Sequence, residues 1–191
     1  MSEVKTSKLS PRTASGTLTL GTSGDTFEVP SGVTLTNNGT VSGFGLFASY
    51  AIIADQKTQN TAGGTFTSGA WRTRDLNTEI ADPDGIVSIA SNQFTLGAGS
   101  YLIRWTCPTY QVYRNQSRVY NITDSSVEGI SQSDYAIYGH FPWGTIRITI
   151  TGSKTFEIQH RSSNTQADYG FGRESNLGTE QYTTVEIYKE A

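Results

Sequence analysis

Cysteine is nearly missing from this chain: among 191 residues only Cys107 carries a thiol, which rules out an intrachain disulfide and any metal set built on several cysteines. Charge is also scarce, at 16% of residues. The balance of 14 basic against 17 acidic side chains gives a formal charge of -3, so no basic field exists to recruit nucleic acid. Long apolar runs are missing as well. The opening MSEVKTSKLSPRTASG offers neither a signal peptide nor a membrane span, and the expectation is a chain that folds in a cytosol without membrane insertion. Extended Leu/Ala/Glu/Lys periodicity does not occur, which removes long helices from consideration. No G-x-S-x-G, H-E-x-x-H or phosphate loop occurs, and no cofactor is expected.

What the chain does have is 20 glycines, many Ser and Thr, and 11% aromatic residues, a composition of strands and turns. Residues 1 to 15 are polar and aperiodic, and read as a flexible or attachment segment. From 16 to 45, short alternations (Leu18/Leu20, Phe27/Val29, Val33/Leu35, Val41) sit between the turn signals SGD, PSG and NNG. Strands of two to four residues bury too little to stand alone. Other copies of the chain covering them would make a thin β-structured stalk; a small intramolecular β-cap is the plainer alternative. GFGLFA at 43 to 48 reads as a glycine-marked hinge.

Beyond it, from residue 46 to 191, the strands lengthen. In GTIRITITG, Ile146, Ile148 and Ile150 face one way and Thr145, Arg147, Thr149 and Thr151 the other. KTFEIQHRSS sets Phe156, Ile158 and His160 against Glu157, Gln159 and Arg161. SYLIRWTCP places Tyr101, Ile103, Trp105 and Cys107 opposite Leu102, Arg104 and Thr106. Further strands are expected at 86–90, 93–96, 117–122 and 134–139. Two strands break the half-wet rule: SYAIIAD is apolar on both faces, and QYTTVEIYK sets Val185 and Ile187 against Tyr182 and Tyr188. A strand apolar on both sides is buried on both sides. In a two-sheet sandwich the second side must be covered from outside the domain, most simply by another copy, which makes Tyr50, Ile52, Tyr182 and Tyr188 the candidate oligomer-interface residues. The expectation is an all-β sandwich with jelly-roll topology.

The order GSYLIRWTCPTY, SRVYNITDSSVEG, GTIRITITGSKTFEIQHRSS and YTTVEIYKEA resembles the trimeric jelly roll of the tumour necrosis factor superfamily and the complement-type globular heads, in the version found at the C-termini of bacteriophage tail fibres. SYAIIADQKTQNTAGGTFTSGAWRTRDLNTEI is similar to the first part of that phage domain, and GTLTLGTSGDTFEVPSGVTLTNNGT to the short β repeats that precede such heads. The resemblance spans about residues 16 to 191 and implies a homotrimer with the first and last strands in an inner sheet at the threefold axis. It implies a virion protein assembled in the host cytoplasm, with the N-terminal segment contacting other virion proteins. Fold alone does not assign the task.

The densest charge lies in WRTRDLNTEIADPDG at 71 to 85. Paired carboxylates could perform acid/base chemistry if an apolar pocket kept one of them neutral. Arg72 and Arg74 stand beside Asp75 and Glu79, however, and nearby cations keep carboxylates ionised. The stretch is therefore read as ion-paired loop scaffolding, with Asp82-Pro83-Asp84-Gly85 a tight turn rather than a calcium loop. His160, on an apolar strand face, reads as a core residue and His140 as a loop residue; neither completes a metal set, and no metal is expected. Cys107 reads as an inert buried thiol.

The remaining signal is aromatic residues in polar loops: Tyr110, Tyr113 and Arg114 in TYQVYRNQ; Tyr135, Tyr138, Phe141 and Trp143 in SDYAIYGHFPWG; Tyr169, Phe171 and Arg173 in NTQADYGFGRESN. Flat rings flanked by amides, hydroxyls and guanidinium groups suit a sugar- or protein-binding surface. Packing at the sandwich ends or an oligomer seam is the alternative for any one of them. Taken together, the expectation is a non-enzymatic, homotrimeric fibre protein whose loops attach to a host-surface glycan or outer-membrane receptor. The rival is a capsid-decorating or structural protein contacting only other virion proteins. A glycan depolymerase would need an acid pair in a cleft, and the sequence offers no convincing one.

Overall fold

The structure, a computed structural model, describes residues 47–190 and, before them, 19, 22, 26 and 28–34. The chain divides into two units after Val41. In the first, the expected PSG turn is present: the Val33 N–H donates to the Pro30 carbonyl at 3.1 Å, and Gly32 takes a φ of +84° that favours glycine. The expected segment at 1–15, most of the short strands of 16–45 and most of the hinge at 43–48 lie outside the described residues.

In the second unit the described residues form 14 strands: β1 (Phe47–Lys57), β2 (Arg72–Thr73), β3 (Thr78–Ala81), β4 (Val87–Ala90), β5 (Gln93–Leu96), β6 (Gly99–Thr106), β7 (Thr109–Tyr110), β8 (Tyr113–Asn121), β9 (Ser126–Ile130), β10 (Asp134–Ala136), β11 (Gly139–His140), β12 (Trp143–Ile150), β13 (Lys154–Ser162) and β14 (Glu180–Glu190). One sheet runs β12-β6-β14-β1-β3, and the facing sheet runs β10-β8-β13-β5-β4 with β2 on β13 and β9 on β8. The first and last strands pair antiparallel, Ala51 opposite Ile187 and Ile53 opposite Val185. This is the expected all-β sandwich.

Strict alternation in the sequence decides which side chains enter the core. Ile53, Tyr101, Ile103, Trp105, Val185 and Ile187 from one sheet meet Phe94, Leu96, Val119, Phe156 and Ile158 from the other, all of them buried. Phe94 and Phe156 stack at 5.5 Å between centroids. The indole of Trp105 would collide with any Cβ at residue 144, so Gly144 lets β12 lie flat over the ring. β4 and β5 are joined by Ser91-Asn92, both at positive φ, as a two-residue hairpin of matching twist requires.

Three expectations are corrected. The single strand at 134–139 is split into β10 and β11, with Ile137 and Tyr138 exposed between them. β8 begins at Tyr113, four residues before the expected 117. Glu157, assigned to a wet face, is buried under Gln93 and Gln159, whose side-chain amides donate to its carboxylate.

Candidate functional site

Register places the three aromatic loops at one end of the sandwich. Lys57 of β1 lies opposite Glu180 of β14, Thr106 of β6 opposite both Thr184 and Trp143, and Ser162 of β13 opposite Asn115 of β8. The segments 107–112, 137–142 and 163–179 therefore emerge together. β1 starts at the opposite end, where Phe47 faces Glu190.

The 163–179 segment rests on a buried cation. Arg74 is fully buried; its Nε donates to Thr183 Oγ1 at 2.8 Å and its Nη2 to the Phe171 carbonyl at 2.9 Å. Its guanidinium stacks on the Phe171 ring at 4.3 Å, and Phe171 packs in turn on Phe66 at 4.5 Å. Burial pulls the Arg74 pKa down. The expected pairing of Arg72 and Arg74 with Asp75 and Glu79 is not found: among the described residues neither arginine makes an ion pair. Asp75 is held by Lys57 at 2.8 Å and by Asn92 at 3.1 Å, and Arg72 donates to the Thr67 carbonyl. Adjacent residues on an extended chain point to opposite sides, so Arg74 goes inward and Asp75 outward. Asp82 receives the N–H groups of Ile86 and Val87, with Gly85 at a φ of +63°, as a tight turn should.

On this support Tyr110 and Tyr169 meet edge to face at 5.7 Å, and Arg173 lies over both rings at 5.4 and 5.5 Å. Arg173 also donates to the Tyr110 hydroxyl at 3.1 Å. A hollow of about 360 Å³ opens beside them, bounded by Tyr110, Phe141, Arg173, Glu174 and Tyr182. Phe141 is 69% exposed. Glu174 Oε2 and the Thr109 hydroxyl, on residues that border this hollow, are buried and have no protein partner among the described residues. Glu180 is occupied: the Ser175 and Asn176 N–H groups and the Ser175 hydroxyl donate to it and hold it below the usual carboxylate range.

The other candidates are distributed differently. Tyr113 and Tyr135 stack at 5.7 Å, both exposed, and Arg114 sits opposite Tyr135 in the sheet. Tyr138 is exposed in the turn before β11. Trp143 starts β12 on the outward face of the five-stranded sheet, under Arg104 at 5.4 Å, and does not join the loop cluster. Phe171, expected as a contact residue, is instead a wedge between Phe66 and Arg74.

Tyr50, Ile52 and Tyr188 share the outward face of the β12-β6-β14-β1-β3 sheet with Leu102, since Tyr188 lies opposite both Tyr50 and Leu102. Tyr50 is 44% exposed there. Tyr182 is corrected: a register shift opposite Ala54–Gln56 breaks the alternation, and the ring is buried by its own chain. Its hydroxyl donates to the Thr61 carbonyl at 2.7 Å and is pushed up to about 12 by burial. Gly172, at a φ of +130°, leaves the room that this ring fills.

His160 is fully buried, as its position on an apolar face implied. Its Nε2 donates to Asn115 Oδ1 at 2.9 Å, and burial keeps its pKa well below the ordinary 6.5. His140 pairs through Nδ1 with Asp134 at 2.9 Å. Burial raises the thiol pKa of Cys107. Among the described residues no three His, Cys, Asp or Glu side chains gather as a metal site would need. Asp55 is buried and raised by that burial, but Lys57 binds it at 3.0 Å and Asn77 at 3.1 Å, the arrangement of a structural latch.

No family model matches the sequence, and no curated protein does. Solved structures do share its shape. Murine APRIL at pH 8.0 superposes with a TM-score of 0.51 over 74% of this chain and 98% of its own, at 8% identity. The globular domain of zebrafish complement 1qA gives 0.47 over 73% and 95%, at 12% identity. The sandwich is a tumour-necrosis-factor-like jelly roll.

Proposed function

We propose that this chain is a homotrimeric bacteriophage fibre protein, and that the loop end of its jelly-roll head attaches the virion to a host-surface glycan or outer-membrane receptor. The observation that carries the reading is the convergence of the aromatic loops at the end of the sandwich opposite the start of β1. Tyr110 and Tyr169 offer aromatic rings and Arg173 a charged donor beside one hollow, with the exposed Phe141 on its rim. Stacking on a ring with hydrogen bonds at its margin is how a polyhydroxylated ligand is held. Three such ends about one axis multiply weak contacts into avidity. The outward face bearing Tyr50, Ile52, Leu102 and Tyr188 supplies the surface for trimerisation. Other virion proteins would meet the N-terminal segment.

A structural role touching only virion proteins is favoured by one feature, the exposed Val127 and Ile130 on β9, 46% and 58% accessible. Binding to host cells separates the two. Tyr169→Ala and Arg173→Ala should each weaken adsorption by about tenfold, the worth of about 1.4 kcal/mol of stacking and hydrogen bonding, while oligomeric mass is kept. Unchanged adsorption in both, with loss on Val127→Lys assembly into particles, would favour the structural role.

A further inference from the structure

We propose that the outer face of the β8-β13-β2 sheet holds a second binding site, a cleft for an anionic saccharide carrying carboxylate or sulfate groups. It opens on the outer face of this sheet, reaching from Trp71 and Arg161 to Asn115, Ser162 and Ser163 at the margin of the loop end, and it uses none of Tyr110, Tyr169 and Arg173.

The cleft is built by register. In β8 and β13 the side chains pointing away from the core are Arg114, Gln116 and Arg118 on one strand and Gln159 and Arg161 on the other, with Gln116 opposite Arg161 and Arg118 opposite Gln159. β2 pairs on the far side of β13, Thr73 opposite Gln159 and Arg72 opposite His160. One step further along that register, Trp71 falls beside Arg161. The Arg118 guanidinium stacks on the Trp71 ring at 4.0 Å and donates to Gln159 Oε1 at 2.8 Å. Arg118 is thus spent on holding Trp71 as a fixed wall. The resulting cleft has a volume of about 630 Å³, within the range of small-ligand sites.

Its charge is unbalanced. Arg114 and Arg161 both line it and both are exposed, and among the described residues neither guanidinium meets a carboxylate or another hydrogen-bond partner. The only lining carboxylate, Asp134, already accepts from Asn115 Nδ2 at 3.0 Å and pairs with His140 at 2.9 Å. Two unpaired guanidinium forks in a chain of net charge -3 are a local reversal of sign, and such forks match planar or tetrahedral oxyanions. The rest of the lining consists of hydroxyls and amides, Ser133, Ser163 and Gln116, which suit sugar hydroxyls. Trp71 adds an apolar edge for a pyranose ring. Nucleic acid fits less well: a phosphate track needs a longer row of cations and a free aromatic face for the bases, and Arg118 covers a face of Trp71.

Calorimetric titration of the purified full chain with oligogalacturonate, a sulfated heparin-derived oligosaccharide, neutral malto-oligosaccharide and a single-stranded oligonucleotide tests the site. We expect at least one of the two anionic saccharides to bind, more weakly in high salt, and the neutral one not to bind. Arg114→Gln and Arg161→Gln should each lower that affinity by about tenfold, with unchanged circular dichroism since both side chains are exposed. Tyr169→Ala should leave it untouched. The proposal is overturned if neither anionic saccharide binds, if both arginine variants bind as wild type, if Tyr169→Ala abolishes the binding, or if the oligonucleotide binds as tightly as the saccharide. Loss of cell adsorption in Tyr169→Ala with saccharide binding kept would separate the two sites.

Discussion

His160 shows how one buried side chain ties stability to pH. Its ring is neutral in the fold, donating from Nε2 to Asn115, and burial places its pKa well below 6.5. In the unfolded chain it titrates near the ordinary value. Between those two pKa values the unfolded state binds the extra proton, so stability rises with pH there and is lost as pH falls below about 6.5. Urea unfolding of wild type and His160→Gln between about pH 5 and 7 should show a shallower pH slope in the variant. Equal slopes would mean that the histidine is not neutral in the fold. Arg74 is the complementary case, a buried cation whose carbonyl, hydroxyl and ring partners all belong to the loop end or to β14. Neither its burial nor its partners follow from its sequence neighbours Asp75 and Glu79. Charge proximity along the chain suggested ion pairs, and the opposite pointing of successive residues undid them.

At the level of strands, alternation was readable wherever it was unbroken. Ile146, Ile148 and Ile150 are the sheltered side of β12 and Thr145, Arg147 and Thr149 the exposed side, as a period of two requires. Tyr182 was misplaced because a register shift sits opposite it, and no composition signal marks such a shift. The flank cleft was illegible for another reason: Trp71, Arg114 and Arg161 are far apart in sequence and meet only because β13 pairs with both β8 and β2. The double apolarity of β1 and β14 was readable, and it leads to an expectation about the element. Ile52 is half-buried and points away from the core, opposite Glu186. Ile52→Asp should therefore keep the β-sheet circular dichroism of the wild type while shifting its elution in size exclusion to that of a single chain. Loss of the sheet signal itself would show that this face packs within the chain.

For the whole molecule, the proposals give the two outward faces and the loop end of the jelly roll separate tasks. The outward face of the β12-β6-β14-β1-β3 sheet is assigned to other copies, the opposite sheet's flank to an anionic sugar, and the loop end to the attachment ligand. The geometry behind them was readable in part: the aromatic loops stood out as polar segments rich in rings, but only the topology shows that they share an end and that β1 starts at the other. Trimerisation is central to these proposals, since it would cover the outward face bearing Tyr50, Ile52, Leu102 and Tyr188 and leave the loops free. Light scattering of the purified chain measures this directly. A trimer gives a particle of three times the 20.7 kDa of one chain; a stable monomer of 20.7 kDa at the same concentration would leave the face bearing Tyr50 and Tyr188 unpaired and the trimer disproved.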